Sequence, residues 1–147
     1  MRKFLLIITA LVLTSGFAIG QSETSMAPIL EEAVPVIETV EGEDLEIVRM
    51  EFDIIGETTK STYRYLHEGW EYAIIAFGDF RVKDMDVKVY KDVDGTWVEI
   101  TKDEDIDPMA IVTVTPSYTA QYMIEIECYE FEPGYSVAHY GLIICHE

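Results

Sequence analysis

A chain of 147 residues has room for one domain. Its 28 acidic residues stand against ten basic ones, a net charge of −18, which opposes binding to nucleic acid or to an anionic membrane surface. The same charge suits an exported, soluble protein, and it suits divalent cations.

Residues 1–20 read as a secretory signal. Arg2 and Lys3 form a basic start, Phe4 to Leu13 an apolar stretch, and Ala18-Ile19-Gly20 a small-residue cleavage site before Gln21. The apolar run is shorter than a bilayer span requires, so no membrane insertion is expected after cleavage. With that segment removed, eight basic residues face 28 acidic ones. The expected location is periplasmic or extracellular.

Residues 21–44 form a second compositional block, acidic and without aromatic or basic residues. It carries Pro28 and Pro35, and the latter would interrupt a strand ladder. A flexible or loosely docked acidic arm is expected here, with a short edge strand from Ile29-Leu30 and Val34 to Val40 as the alternative.

From Leu45 to the end the pattern is β. Val48, Met50, Phe52 and Ile54 alternate with Arg49, Glu51 and Asp53, and Tyr63 and Tyr65 take the face opposite Arg64. The stretch Trp70 to Asp79 is apolar on both alternating faces, as a strand buried between two layers would be. After it, Met85, Val87 and Val89 point one way, and Asp84, Asp86 and Lys88 the other. Asp92-Val93-Asp94-Gly95 is the strongest hairpin signal, returning through Trp97. An acidic loop, 103–108, precedes a β-branched strand ending at Pro116. Tyr122, Ile124, Ile126 and Cys128 then alternate with Glu125 and Glu127, and Val137 to Cys145 is apolar on both faces, so the last strand should be central. The expected fold is all-β, an antiparallel β-sandwich or jelly roll of about eight strands over 45–147, with no substantial helix beyond the signal. If Glu132-Pro133-Gly134-Tyr135 closes a hairpin, Cys128 and Cys145 lie too far apart along it to bond, and two buried thiols are expected.

Tyr72…Phe77-Gly78-Asp79…Asp84-Met85-Asp86-Val87-Lys88-Val89-Tyr90, followed by Gly95, Val112-Thr113-Val114-Thr115-Pro116 and Tyr122-Met123-Ile124-Glu125-Ile126, resembles the bacterial pre-peptidase C-terminal domain. The likeness runs over roughly residues 46–145 and rests on the order and spacing of short motifs. It departs from the family pattern at Ala120-Gln121, where glycine usually precedes the late tyrosine. The resemblance implies a β-sandwich accessory domain of secreted peptidases that assists secretion or binds substrate, in some members with calcium, and is not itself catalytic.

Calcium takes six to eight oxygens from carboxylates and carbonyls. Asp84 and Asp86, two apart on one strand, match the family's paired aspartates and present both carboxylates to one face, where Asp79 and the acidic segment 41–44 would close over them. Asp92 with Asp94 is a second candidate, without the spaced ligands of an EF-hand loop. His67, His139 and His146 are too scattered for a zinc pair. Gly134-Tyr135-Ser136-Val137-Ala138 looks superficially like a nucleophile elbow, but it leads from a Pro-Gly turn into a strand rather than a helix. No other catalytic motif is present, and the chain reads as a non-enzyme. Tyr90 and Trp97 flank the 92–95 hairpin on its polar face and are the candidate ligand-binding pair. The reading is an exported binding module for a protein or polysaccharide. The alternative is an envelope or assembly component that pairs through an exposed strand edge or the arm 28–40.

Overall fold

The computed structural model describes residues 25–147, so the expected signal segment lies outside the described residues. One helix, α1 (Ala27–Gly42), precedes eight strands: β1 (Glu46–Ile55), β2 (Lys60–Leu66), β3 (Tyr72–Gly78), β4 (Val82–Val93), β5 (Thr96–Asp103), β6 (Met109–Val114), β7 (Ala120–Phe131) and β8 (Ala138–His146). They form two antiparallel four-stranded sheets, ordered β1-β8-β3-β6 and β2-β7-β4-β5. The all-β sandwich of eight strands is therefore the observed fold.

The core between the sheets follows the period-two pattern. Ile74, Ala76, Leu142 and Ile144 of one sheet face Met85, Val87, Val89, Tyr122, Ile124 and Ile126 of the other. β8 lies between β1 and β3, and all nine of its residues are buried, as its two apolar faces require. The second of those faces is covered by α1. Ile29, Ala33, Val36 and Val40 pack on Ile75, Phe77, Ile143 and Cys145.

The helix corrects the expectation of a flexible arm or edge strand. Ile29, Ala33, Val36 and Val40 are spaced by four, three and four residues, one stripe of a helix. Pro28 stands in the first turn, where a missing N–H costs nothing. Pro35 is inside the helix but exposed, so the Glu31 carbonyl that it leaves unbonded lies on the solvent side. Thr39 Oγ1 donates to the Pro35 carbonyl, 2.8 Å away.

The 132–135 turn is present, with Gly134 at φ 94°, but it carries the chain from one sheet to the other instead of closing a hairpin. Cys128 faces the core and Cys145 lies under α1; both are free, buried thiols. They are unbonded as expected, though because a sheet separates them and not because of a hairpin register.

Candidate functional site

The sandwich leaves its two outer faces in different states. α1 lies on the β1-β8-β3-β6 sheet. On the β2-β7-β4-β5 sheet the outward residues are those alternating with the core set: Tyr63 on β2, Met123, Glu125 and Glu127 on β7, Asp86, Lys88 and Tyr90 on β4, and Trp97 and Glu99 on β5.

Tyr90 and Trp97 both fall on this open face, where the alternation put them. Tyr63 and Tyr90 are each cross-strand partners of Met123. The Trp97 ring reaches across to Tyr63, with centroids 5.6 Å apart and planes at 50°. Trp97 is 36% exposed and Tyr63 45%, so the pair is a surface feature. The Tyr90 hydroxyl donates to Glu125 Oε1 at 3.3 Å, and burial beside that carboxylate raises its pKa. Sequence reasoning noticed the Tyr63 alternation but did not join Tyr63 to Trp97. Nothing in the linear pattern brings β2 and β5, the two edges of this sheet, together; the Tyr63 and Trp97 side chains meet over the two strands between them.

At the other end of the face stand Asp84 and Asp86. Register shifts between Val82 and Met85 exchange the inward and outward positions of β4, so both aspartates turn away from the core as expected. They are not open, however: they are only 4% and 5% exposed. The acidic 103–108 loop folds onto β4, with Met85 N–H donating to the Asp107 carbonyl at 2.9 Å. Asp84 accepts from the Asp107 backbone, yet its Oδ1 is buried with no partner. Burial, then the adjacent Glu130 charge, raises the Asp84 pKa. Burial, then Asp84, pushes Asp86 up to about 6. Lys88, bonded to Glu104 at 3.1 Å, opposes this in part.

Asp79 does not join them. Its buried carboxylate accepts from the Arg81 guanidinium and from the backbone N–H groups of Arg81 and His139. Burial alone would raise its pKa, but these donors hold it below the usual carboxylate range. Asp92 accepts from the Gly95 N–H at 2.7 Å, shaping the turn in which Asp94 and Gly95 have φ of 53° and 82°. Among the described residues no group of three or more His, Cys, Asp or Glu side chains is gathered as a metal would need. Asp84 and Asp86 thus offer one orphaned buried oxygen and two carboxylates, without a third side-chain ligand.

Ser136 does line a small cleft with His139 and Arg81. His139 Nδ1 lies 2.7 Å from Arg81 Nη2. An arginine can only donate, so Nδ1 is the acceptor and the ring proton of the neutral imidazole sits on Nε2. That tautomer is the wrong one for a base held by Asp79 and aimed at a serine.

A larger cleft, which the sequence did not suggest, opens at the β1/β2 side of the sandwich. It measures about 500 Å³ and is lined in part by Arg49, Arg64, His67, Trp70, Tyr72 and His146. No helix among the described residues is long and apolar enough to cross a membrane.

No protein-family model matches the chain, and no curated protein matches it in sequence. Its fold is similar to several solved β-sandwiches. One is the Yersinia pseudotuberculosis-derived mitogen, with TM-score 0.51 and 17% identity over 68% of this chain and 85% of that one. Another is PliG, a periplasmic inhibitor of g-type lysozyme from Aeromonas hydrophila, with TM-score 0.49 and 11% identity over 67% and 85%. The pre-peptidase C-terminal domain of a Bacillus anthracis collagenase aligns with TM-score 0.49 and 8% identity over 65% and 87%. A domain of the family that the motifs resemble is thus a structural neighbour, among other β-sandwiches.

Proposed function

We propose that this chain is an exported, non-enzymatic binding module, and that its ligand is a neutral polysaccharide laid across the open face of the β2-β7-β4-β5 sheet. The observation that carries this reading is the Trp97–Tyr63 pair, part-exposed on a face that no helix covers, with Tyr90 beside it. Sugar rings stack their C–H faces on such aromatics, and the surrounding carboxylates of Glu99 and Glu125 accept hydroxyl hydrogens. Those carboxylates also repel anionic chains, which is why the ligand is taken to be neutral. The test is retention of the protein in native gels containing soluble neutral glucans, mannans and galactans. The reading predicts that at least one of them retards the chain, and that Trp97→Ala migrates freely. Unaltered migration in every gel would sink it.

A calcium ion on Asp84 and Asp86 is the second part of the reading. The unpartnered Asp84 Oδ1 favours it, with water and the Asp107 segment as sources of further oxygens. Millimolar calcium should then raise the melting temperature, and the Asp84→Asn/Asp86→Asn double variant should lose that response. Equal melting with calcium and with chelator would remove the ion. The assembly alternative has lost one of its two routes, because residues 28–40 are helical and docked. Its other route, strand addition, rests on the edges that β1, β6, β2 and β5 leave, and sedimentation over a range of concentrations would reveal it.

A further inference from the structure

The 500 Å³ cleft brings two arginines together with aromatic side chains and imidazoles, and none of its ten lining residues is Asp or Glu. Its volume lies in the ~300–1,000 Å³ range of small-molecule sites. The way β1 is turned creates it. Phe52 and, before the bulge at Val48, Ile47 pack toward α1, while Ile55, of opposite parity to Phe52, belongs to the core between the sheets. The inward side of β1 near the cleft therefore carries Arg49 and Glu51, with Val48 bulged out of the β1–β8 register. β2 presents Thr62, Arg64 and Leu66 inward. One side of the sandwich is thus closed by charged side chains instead of apolar ones.

Arg49 Nε donates to Glu51 Oε1 at 2.6 Å, and Arg64 Nη2 donates to the same oxygen. Thr62 Oγ1 approaches it too, at 3.4 Å. Burial would raise the Glu51 pKa, but the two guanidinium groups hold it below the usual range. One carboxylate therefore serves two arginines, whose remaining N–H groups are not bonded to it. Arg64 Nε–H is buried and has no acceptor. Opposite stand an aromatic wall and an imidazole. Trp70, 43% exposed, meets His146 edge-on at 4.0 Å between centroids, and Tyr72 meets the same imidazole edge-on at 5.5 Å. His146 Nδ1 lies 2.7 Å from a backbone oxygen of Glu147, the last residue of the chain, and donates to it, which leaves Nε2 as the ring nitrogen free to meet a ligand.

We infer that this cleft is a second binding site, separate from the open face, and that it takes a carboxylate-bearing sugar such as a uronic acid unit. The arginine pair receives the carboxylate through the guanidinium N–H groups that Glu51 does not take. Trp70 offers a ring face for the sugar, and His146 Nε2 meets a hydroxyl. A peptide carboxylate would use the arginines but not the aromatic wall, which is why a sugar acid is preferred.

The test is titration of the full chain with trigalacturonate and with neutral galactotriose, followed by tryptophan fluorescence and by amide shifts of His67, Trp70 and His146. Trigalacturonate should bind, and galactotriose should be weaker by ~10-fold or more. Arg64→Met should remove that preference, as should raising the salt to ~0.5 M, because the discriminating contact is ionic. Arg64→Lys, which keeps the charge and loses the guanidinium, should fall between, and it serves if the methionine variant fails to fold. Trp97→Ala should leave trigalacturonate binding unchanged, so that failure here and failure of the open-face reading can be told apart. The inference is overturned if trigalacturonate shifts none of these signals at about 10 mM. It is overturned equally if galactotriose binds as well, if Trp97→Ala abolishes the binding, or if polyglutamate displaces the sugar and binds more tightly.

Discussion

The two outer faces of the sandwich differ in what the chain has put over them. Ile75, Phe77, Ile143 and Cys145 would be an apolar surface if α1 did not lie on them. The other sheet presents Tyr63, Trp97 and Tyr90 with carboxylates and lysine between them; no helix lies on it, and the 103–108 loop folds onto β4 only at the Asp84/Asp86 end. A covered face is held by apolar burial and tolerates change poorly. An open face contributes little to the fold and is where composition can answer to a ligand. The contrast yields experiments whose expected effects on stability run from large to small.

The largest effect should come from breaking the cover. Ile29 is fully buried between α1 and the sheet. Ile29→Asp would bury a charge or undock the helix, at a cost of about 3–5 kcal/mol. Since the core between the sheets does not use α1, undocking should leave strand circular dichroism largely intact while Cys145, now shielded, becomes open to thiol reagents. Wild-type labelling rates in the variant would show that the helix is not what protects that thiol.

On the same face, Phe77 lies over its cross-strand partner Gly141. A Cβ at 141 would stand 2.3 Å from Phe77 Cζ, far inside contact distance. Gly141→Ala should lower stability by about 1–3 kcal/mol, and Phe77→Leu in the same chain should recover part of the loss by opening room. If the double variant is no better than the single one, the clash is not the cause.

The open face should respond in the opposite direction. Asp86 is held up to about 6 by burial and by Asp84, whereas an unfolded aspartate titrates near ~3.9. The folded state therefore takes up the proton first as pH falls. The stability this confers is complete below the unfolded value and is lost as pH rises through about 6. Asp79 and Glu51, held low, act in the reverse sense at more acidic pH. At pH 7.5 with chelator present, Asp86→Asn should raise stability by about 1–2 kcal/mol. The gain should disappear near pH 4, a pattern that melting curves at the two pH values would check.

Period-two alternation made most of the sandwich legible. It located the eight strands, the buried β3 and β8, the outward aspartates of β4 and the 92–95 hairpin. Three things escaped it. The stripe of α1 is hidden by Pro35 and by Ala33, a small residue that counts as a helix contact only once the sheet beneath it is known. The burial of Asp84 and Asp86 depends on the 103–108 loop folding back, which alternation cannot describe. The arginine cleft is assembled from β1, β2, β3 and β8, and the one hint in the chain is that Arg49 and Arg64, two of its four arginines, sit at corresponding places on consecutive strands. Asp79 was misassigned for a related reason. Arg81, two residues on, is the partner that neutralises it, and a search for calcium ligands counts oxygens without asking which are already paired.

The smallest expected effect on stability belongs to the residue that should matter most for binding. Trp97 sits on an edge strand, part-exposed, with Tyr63 as its aromatic neighbour. Such an aromatic pair contributes about 0.5–1.5 kcal/mol beyond burial when well packed, and an exposed edge position should realise the lower end of that range. Trp97→Ala should therefore melt within a few degrees of the parent while losing retention by neutral polysaccharide. A loss of several kcal/mol would mean that Trp97 is packed in place and that this sheet, too, is a structural face. Tyr63→Ala separates the cases further: if the two rings form one platform it should weaken binding nearly as much as Trp97→Ala, and if Tyr63 merely props the indole, Tyr63→Leu should restore binding by supplying the same apolar contact.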